Sequence, residues 1–126
     1  MKQELLDEIR TAYVDNQNDG RTFEQTQNIR NLDFKASESV SGWNDIEDAL
    51  KATGEGYNAF EPVSVANRIY EADPEAKVWV AREGSVCLYI ETKYKQVMKR
   101  ALKDADEADT GKGRRGQPAQ IRFWWD

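Results

Sequence analysis

Two stretches of this chain hold residues whose types and spacing could do chemistry. Glu91-Thr92-Lys93 sets a carboxylate and an ammonium one residue apart, so on an extended segment both project from the same side. Such a pair can hold Mg²⁺ and orient a water for phosphodiester cleavage. Lys95, Lys99 and Lys103 recur every four residues, with Arg100 beside them, and form one outward row on a helix. Gly111-Lys112-Gly113-Arg114-Arg115-Gly116 then leads to a segment holding Arg122 and Trp124. Flexible amides, guanidinium groups and aromatic faces are what a phosphate backbone and unstacked bases require. Trp, Tyr and Arg are also the residues that dominate protein–protein hot spots.

Other chemistry is closed off. The chain has no histidine, which removes Ser-His-Asp and Cys-His nucleophile systems, His-ligated metals and imidazole switching. Cys87 is the single cysteine; it builds neither a thiolate metal site nor an internal disulfide, and it suits a reducing compartment. No Gly-x-x-x-x-Gly-Lys-Ser/Thr run occurs, so a phosphate-binding Walker loop is absent. The acids Asp104, Asp106 and Asp109 fail the EF-hand pattern. Position 5 is Ala108, position 6 is Asp109 where glycine is needed, and position 12 is Arg115. They read as a charged helix end that balances nearby arginines.

The elements that position these residues follow from periodicity. Leu5, Leu6, Ile9, Ala12 and Tyr13 predict an amphipathic helix from Lys2 to about Asn16. Thr22-Phe23-Glu24-Gln25 has capping-box form and opens a second helix with Phe23, Ile29 and Leu32. Residues 35–42 read as a Ser-rich loop. A third helix carries Ile46, Ala49 and Leu50, with Asn44 as N-cap and Gly54 as its stop. Pro62 opens a fourth, with Val65, Ala66, Ile69 and Tyr70 inward, and Asp73-Pro74 ends it. Lys77 to Arg82 and Ser85 to Glu91 predict a β-hairpin turning at Glu83-Gly84. A two-residue loop pairs Val80 with Cys87 and Trp79 with Leu88, which leaves both faces apolar. Thr92 to about Ala105 returns to helix, with Tyr94, Val97, Met98, Ala101 and Leu102 inward. Asp104 to Pro118 has loop composition. Gln120 to Asp126 alternates as a last strand, Ile121, Phe123 and Trp125 against Arg122 and Trp124. The class is α+β: N-terminal helices, then a hairpin, a helix and a C-terminal strand in a small antiparallel or mixed sheet, all in a single domain.

The hairpin, the Glu-x-Lys at its end and the helix after it resemble the core of PD-(D/E)xK nucleases over roughly 30 residues. The resemblance implies Mg²⁺-dependent cleavage, active or degenerate, with Glu91 and Lys93 in its motif. The family's metal-binding aspartate falls at Lys77, which cannot ligate Mg²⁺, so Asp73 or Glu75 would have to stand in. A winged-helix arrangement fails on charge: residues 62–72 would be the recognition helix, and Arg68 is its one base beside Glu71.

Charge divides the chain. Of its 126 residues, the first 76 hold 16 acids and 7 bases, whereas residues 77–126 hold 7 acids and 11 bases. The overall net charge of −5 therefore hides a basic C-terminal portion. On the acidic side Glu4, Asp7, Glu8, Asp45, Glu47 and Asp48 could compete for a nucleic-acid-binding groove. No apolar run is long enough to span a bilayer, and the N-terminus lacks a signal-peptide core, so the expected location is cytoplasmic. The expected function is a binding protein without catalysis or cofactor, a small regulator or inhibitor that contacts a larger nucleic-acid-handling machine. The hairpin aromatics and the basic loop around Arg114 and Arg115 would anchor it. Two alternatives stay open: a single-stranded nucleic-acid module using Lys95, Lys99, Lys103, Lys112, Arg114, Arg115, Arg122 and Trp124, and a Mg²⁺ nuclease using Asp73, Glu91 and Lys93.

Overall fold

Three helices form where the apolar spacing predicts them: α1 (Gln3–Asp15), α2 (Trp43–Gly54) and α3 (Pro62–Ala72). They bury Leu5 and Ile9, then Ile46, Ala49 and Leu50, then Val65, Ala66 and Ile69. The computed structural model describes residues 2–15, 34–54, 60–82, 86–111 and 119–125; the helix expected from Thr22 lies outside them. Helix α2 starts before Asn44, the expected cap. Gly42 adopts φ +86° and its carbonyl accepts from Ile46 N at 3.0 Å, a left-handed entry that glycine makes at little steric cost.

Among the described residues the sheet has five strands: β1 (Phe34–Lys35), β2 (Lys77–Arg82), β3 (Val86–Glu91), β4 (Glu107–Thr110) and β5 (Gln120–Trp125). Their order is β1-β2-β3-β5-β4, antiparallel throughout. A short helix, α4 (Lys95–Ala101), joins β3 to β4. The α+β class is as expected.

The hairpin register is not. Val80 pairs with Leu88 and Trp79 with Tyr89, one residue away from the two-residue-loop alignment. Burial explains the slip, because a one-residue shift exchanges the faces of a whole strand. The observed register gathers Val78, Val80, Val86, Leu88 and Ile90 on one face, continued by Ile121, Phe123 and Trp125 of β5. Trp79, Tyr89, Arg122 and Trp124 go to the other. The two-residue alignment would have split the aliphatic side chains between both faces.

Strand β4 occupies part of the expected loop, and Lys35, also expected in a loop, is in β1. All four residues of β4 are exposed; pairing with β5, not its own composition, makes it a strand. Its Glu107 and Asp109 put charge on a sheet edge, which discourages pairing with other chains. All four described helices contribute to one buried cluster with the aliphatic face of the sheet. They pack in sequence, α1 on α2, α2 on α3 and α3 on α4. Among the described residues no helix is long and apolar enough to cross a membrane.

Candidate functional site

Both carboxylates of the nuclease-like motif are engaged by other partners. Glu91 ends β3 on the sheet face away from the helices, directly across from Lys77, and their side chains pair at 3.6 Å. The lysine that replaces the family's aspartate thus forms a cross-strand ion pair with the motif's glutamate. Asp73 lies at the C-terminus of α3, and its backbone N–H donates to Ile69 O. Its Oδ2 accepts from Thr92 Oγ1 at 2.6 Å and its Oδ1 from Glu75 N at 2.9 Å. Thr92 Oγ1 in turn accepts from Tyr94 N at 3.1 Å. Asp73 and Thr92 are both buried, so this joint locks the end of α3 to the chain entering α4. Glu75 is exposed. Among the described residues no three acids or thiols gather where a metal could sit. The donor set does not fit Mg²⁺.

The cationic row is of another kind. Lys95 and Lys99 are half-buried on α4, while Lys93 and Arg100 are exposed. Lys103 is exposed beyond the helix, whose C-cap is Leu102. None of these five forms an ion pair among the described residues. Helix α4 itself contains no acid.

Two apolar residues expected inward are exposed beside this row. Tyr94 is 55% and Val97 42% accessible. Helix α4 begins three residues later than predicted, and Tyr94 is its N-cap with non-helical dihedrals; its side chain therefore leaves the inward stripe. Met98 and Leu102 alone anchor the helix fully, and Ala101 is half-buried. Tyr70 on α3 is likewise exposed against expectation. An open hollow of about 690 Å³ lies over Thr92, Lys93, Tyr94, Lys95, Val97 and Ala119. A second, of about 480 Å³, runs between α3 and α4 over Arg68, Glu71, Ala72, Val97, Arg100 and Ala101.

Below the second hollow an ion pair fastens the end of α4. Arg68 Nη1 donates to Ala101 O at 2.9 Å and pairs with the Asp104 carboxylate, which also accepts from Trp125 Nε1 at 3.3 Å. The hydrogen bond from Arg68 holds the Asp104 carboxyl below the usual carboxylate range, with desolvation opposing and the Trp125 bond assisting. Asp104 therefore balances Arg68, and its neighbours in β4, Glu107 and Asp109, balance Arg122.

The remaining expected residues are distributed. Arg122 pairs with Glu107 at 3.0 Å and Asp109 at 3.5 Å, which neutralises a cation expected to meet phosphates. Trp124 is half-buried on the same face, while Trp125 is core. Lys112, Arg114 and Arg115 lie outside the described residues. Among the acids, Glu8 accepts from Ser37 N and Oγ at 2.9 and 2.8 Å. Glu47 pairs with Lys51 at 2.7 Å, and Asp7 accepts from Gln3. Glu4 and Asp48 are exposed.

One cluster has no counterpart in the sequence reading. Lys35 Nζ lies 4.9 Å from the Trp79 ring and 4.6 Å from the Tyr89 ring, and donates to Gln120 Oε1 at 2.8 Å. With Trp79 and Tyr89 set opposite each other the cluster could have been suspected, but the two-residue loop separated them. No protein-family model, no curated protein and no solved structure matches this chain.

Proposed function

We propose that this protein works without catalysis, by protein–protein contact, as a small regulator or inhibitor of a larger nucleic-acid-handling machine. The observation that carries the reading is the segregation of charge across the helical layer. Helices α1 and α2 bear Glu4, Asp7, Glu8, Asp45, Glu47 and Asp48, whereas α4 bears Lys95, Lys99 and Arg100 with no acid. Helix α3 separates the two flanks. Opposed fields of this kind steer and orient a partner. The exposed Glu4, Asp7 and Asp48 suit a basic groove that otherwise accepts nucleic acid, and the cations of α4, which pair with no acid among the described residues, suit an acidic neighbour on the same machine. The test is capture from cell extract by the full chain and by Lys95→Glu/Lys99→Glu. A protein retained by the first and lost by the second is the expected result; equal capture by both overturns the reading.

A second reading, direct binding of single-stranded nucleic acid, is favoured by the Lys35–Trp79–Tyr89 cluster with Trp124 on the same face. Aromatic rings on a sheet face can stack bases. Glu91, Glu107 and Asp109 occupy that face too and oppose a phosphate chain. Anisotropy of labelled oligonucleotides across a salt series separates the two readings. Saturable binding that weakens steeply with salt would replace the first by the second.

A further inference from the structure

We infer that the two hollows along α4 form one groove that docks an acidic peptide segment bearing a single apolar anchor. This rests on the protein–protein reading and names the chemistry of the partner at the cationic flank. Val97 lines both hollows, so an exposed aliphatic side chain borders each of them. Tyr94 flanks it on one side and Ala72 on the other. Lys93 and Lys95 stand at one end and Arg100 at the other, all three without a carboxylate partner among the described residues. An apolar floor between unpaired cations complements an apolar side chain between acids.

Size and charge select the occupant. Helix α4 spans roughly 10 Å at about 1.5 Å per residue, a length that about three residues of extended peptide cover. A nucleic acid along the same path would set phosphates against Glu71, which lines the α3–α4 hollow, and would find one ring, Tyr94, to stack on. A peptide can place an uncharged residue opposite Glu71 and its acids over the cations.

The probe is a fluorescein-labelled peptide of glutamates around one central leucine, titrated into the full chain by anisotropy and by amide chemical-shift mapping. Saturable binding is expected, with shifts at Tyr94, Val97 and Ala72. Replacing the leucine by serine should weaken it about tenfold, or about 1.4 kcal/mol, and Val97→Glu should do the same while leaving the near-UV circular dichroism intact. Equal affinity for the leucine and serine peptides would overturn the groove, as would shifts confined to the lysines or a preference for an oligonucleotide at these residues. Concentration-dependent self-association that shifts them would overturn it in favour of a second copy. If no peptide binds while capture still depends on Lys95 and Lys99, the groove falls and the binding reading stands. If capture is also indifferent to those lysines, both fall.

Discussion

The acidic and basic portions of this protein use their charges differently. In the acidic portion many carboxylates are built into the architecture. Glu8 ties α1 to Ser37, Glu38 meets Lys2 at 3.0 Å, Glu47 meets Lys51, and Asp73 closes the joint with Thr92. In the basic portion the cations of α4 and its flanks engage no carboxylate among the described residues. Arg122 and Lys77 are the paired exceptions, and both lie on the sheet. Net charge alone would treat the two portions as mirror images. Partner geometry separates them: several acids of the first portion hold elements together, whereas the cations of α4 bond to no carboxylate among the described residues.

The largest expected effect tests the structural half of that contrast. Asp73→Ala leaves the buried Thr92 hydroxyl and the Glu75 amide without their acceptor. The cost expected is about 2–3 kcal/mol, because a buried donor stripped of its partner loses its desolvation compensation. Glu8→Ala removes two bonds at a more exposed place and should cost about 1 kcal/mol. Urea unfolding at neutral pH measures both. A cost for Asp73→Ala below that for Glu8→Ala would mean the joint is not what holds α3 to the approach to α4.

A smaller effect comes from Asp104, the one carboxylate among the described residues of the basic portion with a perturbed acidity. The folded-state pKa of Asp104 lies below its ordinary value of 3.8. Its ionised form is therefore favoured by folding, and the stability it contributes is present above the unfolded pKa. That contribution disappears as pH falls through the lower, folded value. The stability gap between wild type and Asp104→Asn should stay level from neutrality to about pH 5 and close below about pH 4. The side chain is substantially exposed, so added salt should shrink the gap throughout. A gap that widens on acidification would reverse the assigned sign.

Much of the fold was legible because burial and periodicity agree over α1, α2, α3 and β5. The failures have physical causes. Loop length decided the predicted hairpin register, yet sorting five aliphatic side chains onto one face outweighs the preference for a short turn. Strand β4 has neither alternation nor β-branched density, so only its partner could reveal it. In α4 the periodic frame was started at Thr92, but Thr92 is engaged by Asp73, and the helix begins at Lys95. That shift takes Tyr94 out of the helical frame, whereas Val97 lies within the helix and is exposed at the edge of its inward stripe. The site was half legible as a result. The lysine row was visible in the spacing, whereas the exposure of Tyr94 and Val97 beside it follows from the helix start and from packing that periodicity does not report. The nuclease-like triad depended on side chains sharing a space, and local spacing does not report that Lys77 faces Glu91 while Asp73 is sealed by Thr92.

The smallest expected stability change probes the basic half most sharply. Lys95 and Lys99 repel each other across one helical turn, and Lys103 follows just past the C-cap. Like charges at this spacing cost an isolated helix about 0.2–0.5 kcal/mol per pair. Cations near a helix C-terminus recover a similar amount through the macrodipole. Alanine at all three positions should thus leave stability within about 0.5 kcal/mol of wild type, while partner capture falls sharply. Urea unfolding and capture, run on the same preparation, separate the two quantities. If the triple variant loses more than about 1 kcal/mol, the lysine stems or charges contribute to folding as the carboxylates do. The contrast between the portions would then fail, and with it the argument that α4 keeps its charge for a partner. If stability holds and capture drops, the charges are functional in the strict sense that the fold does not need them.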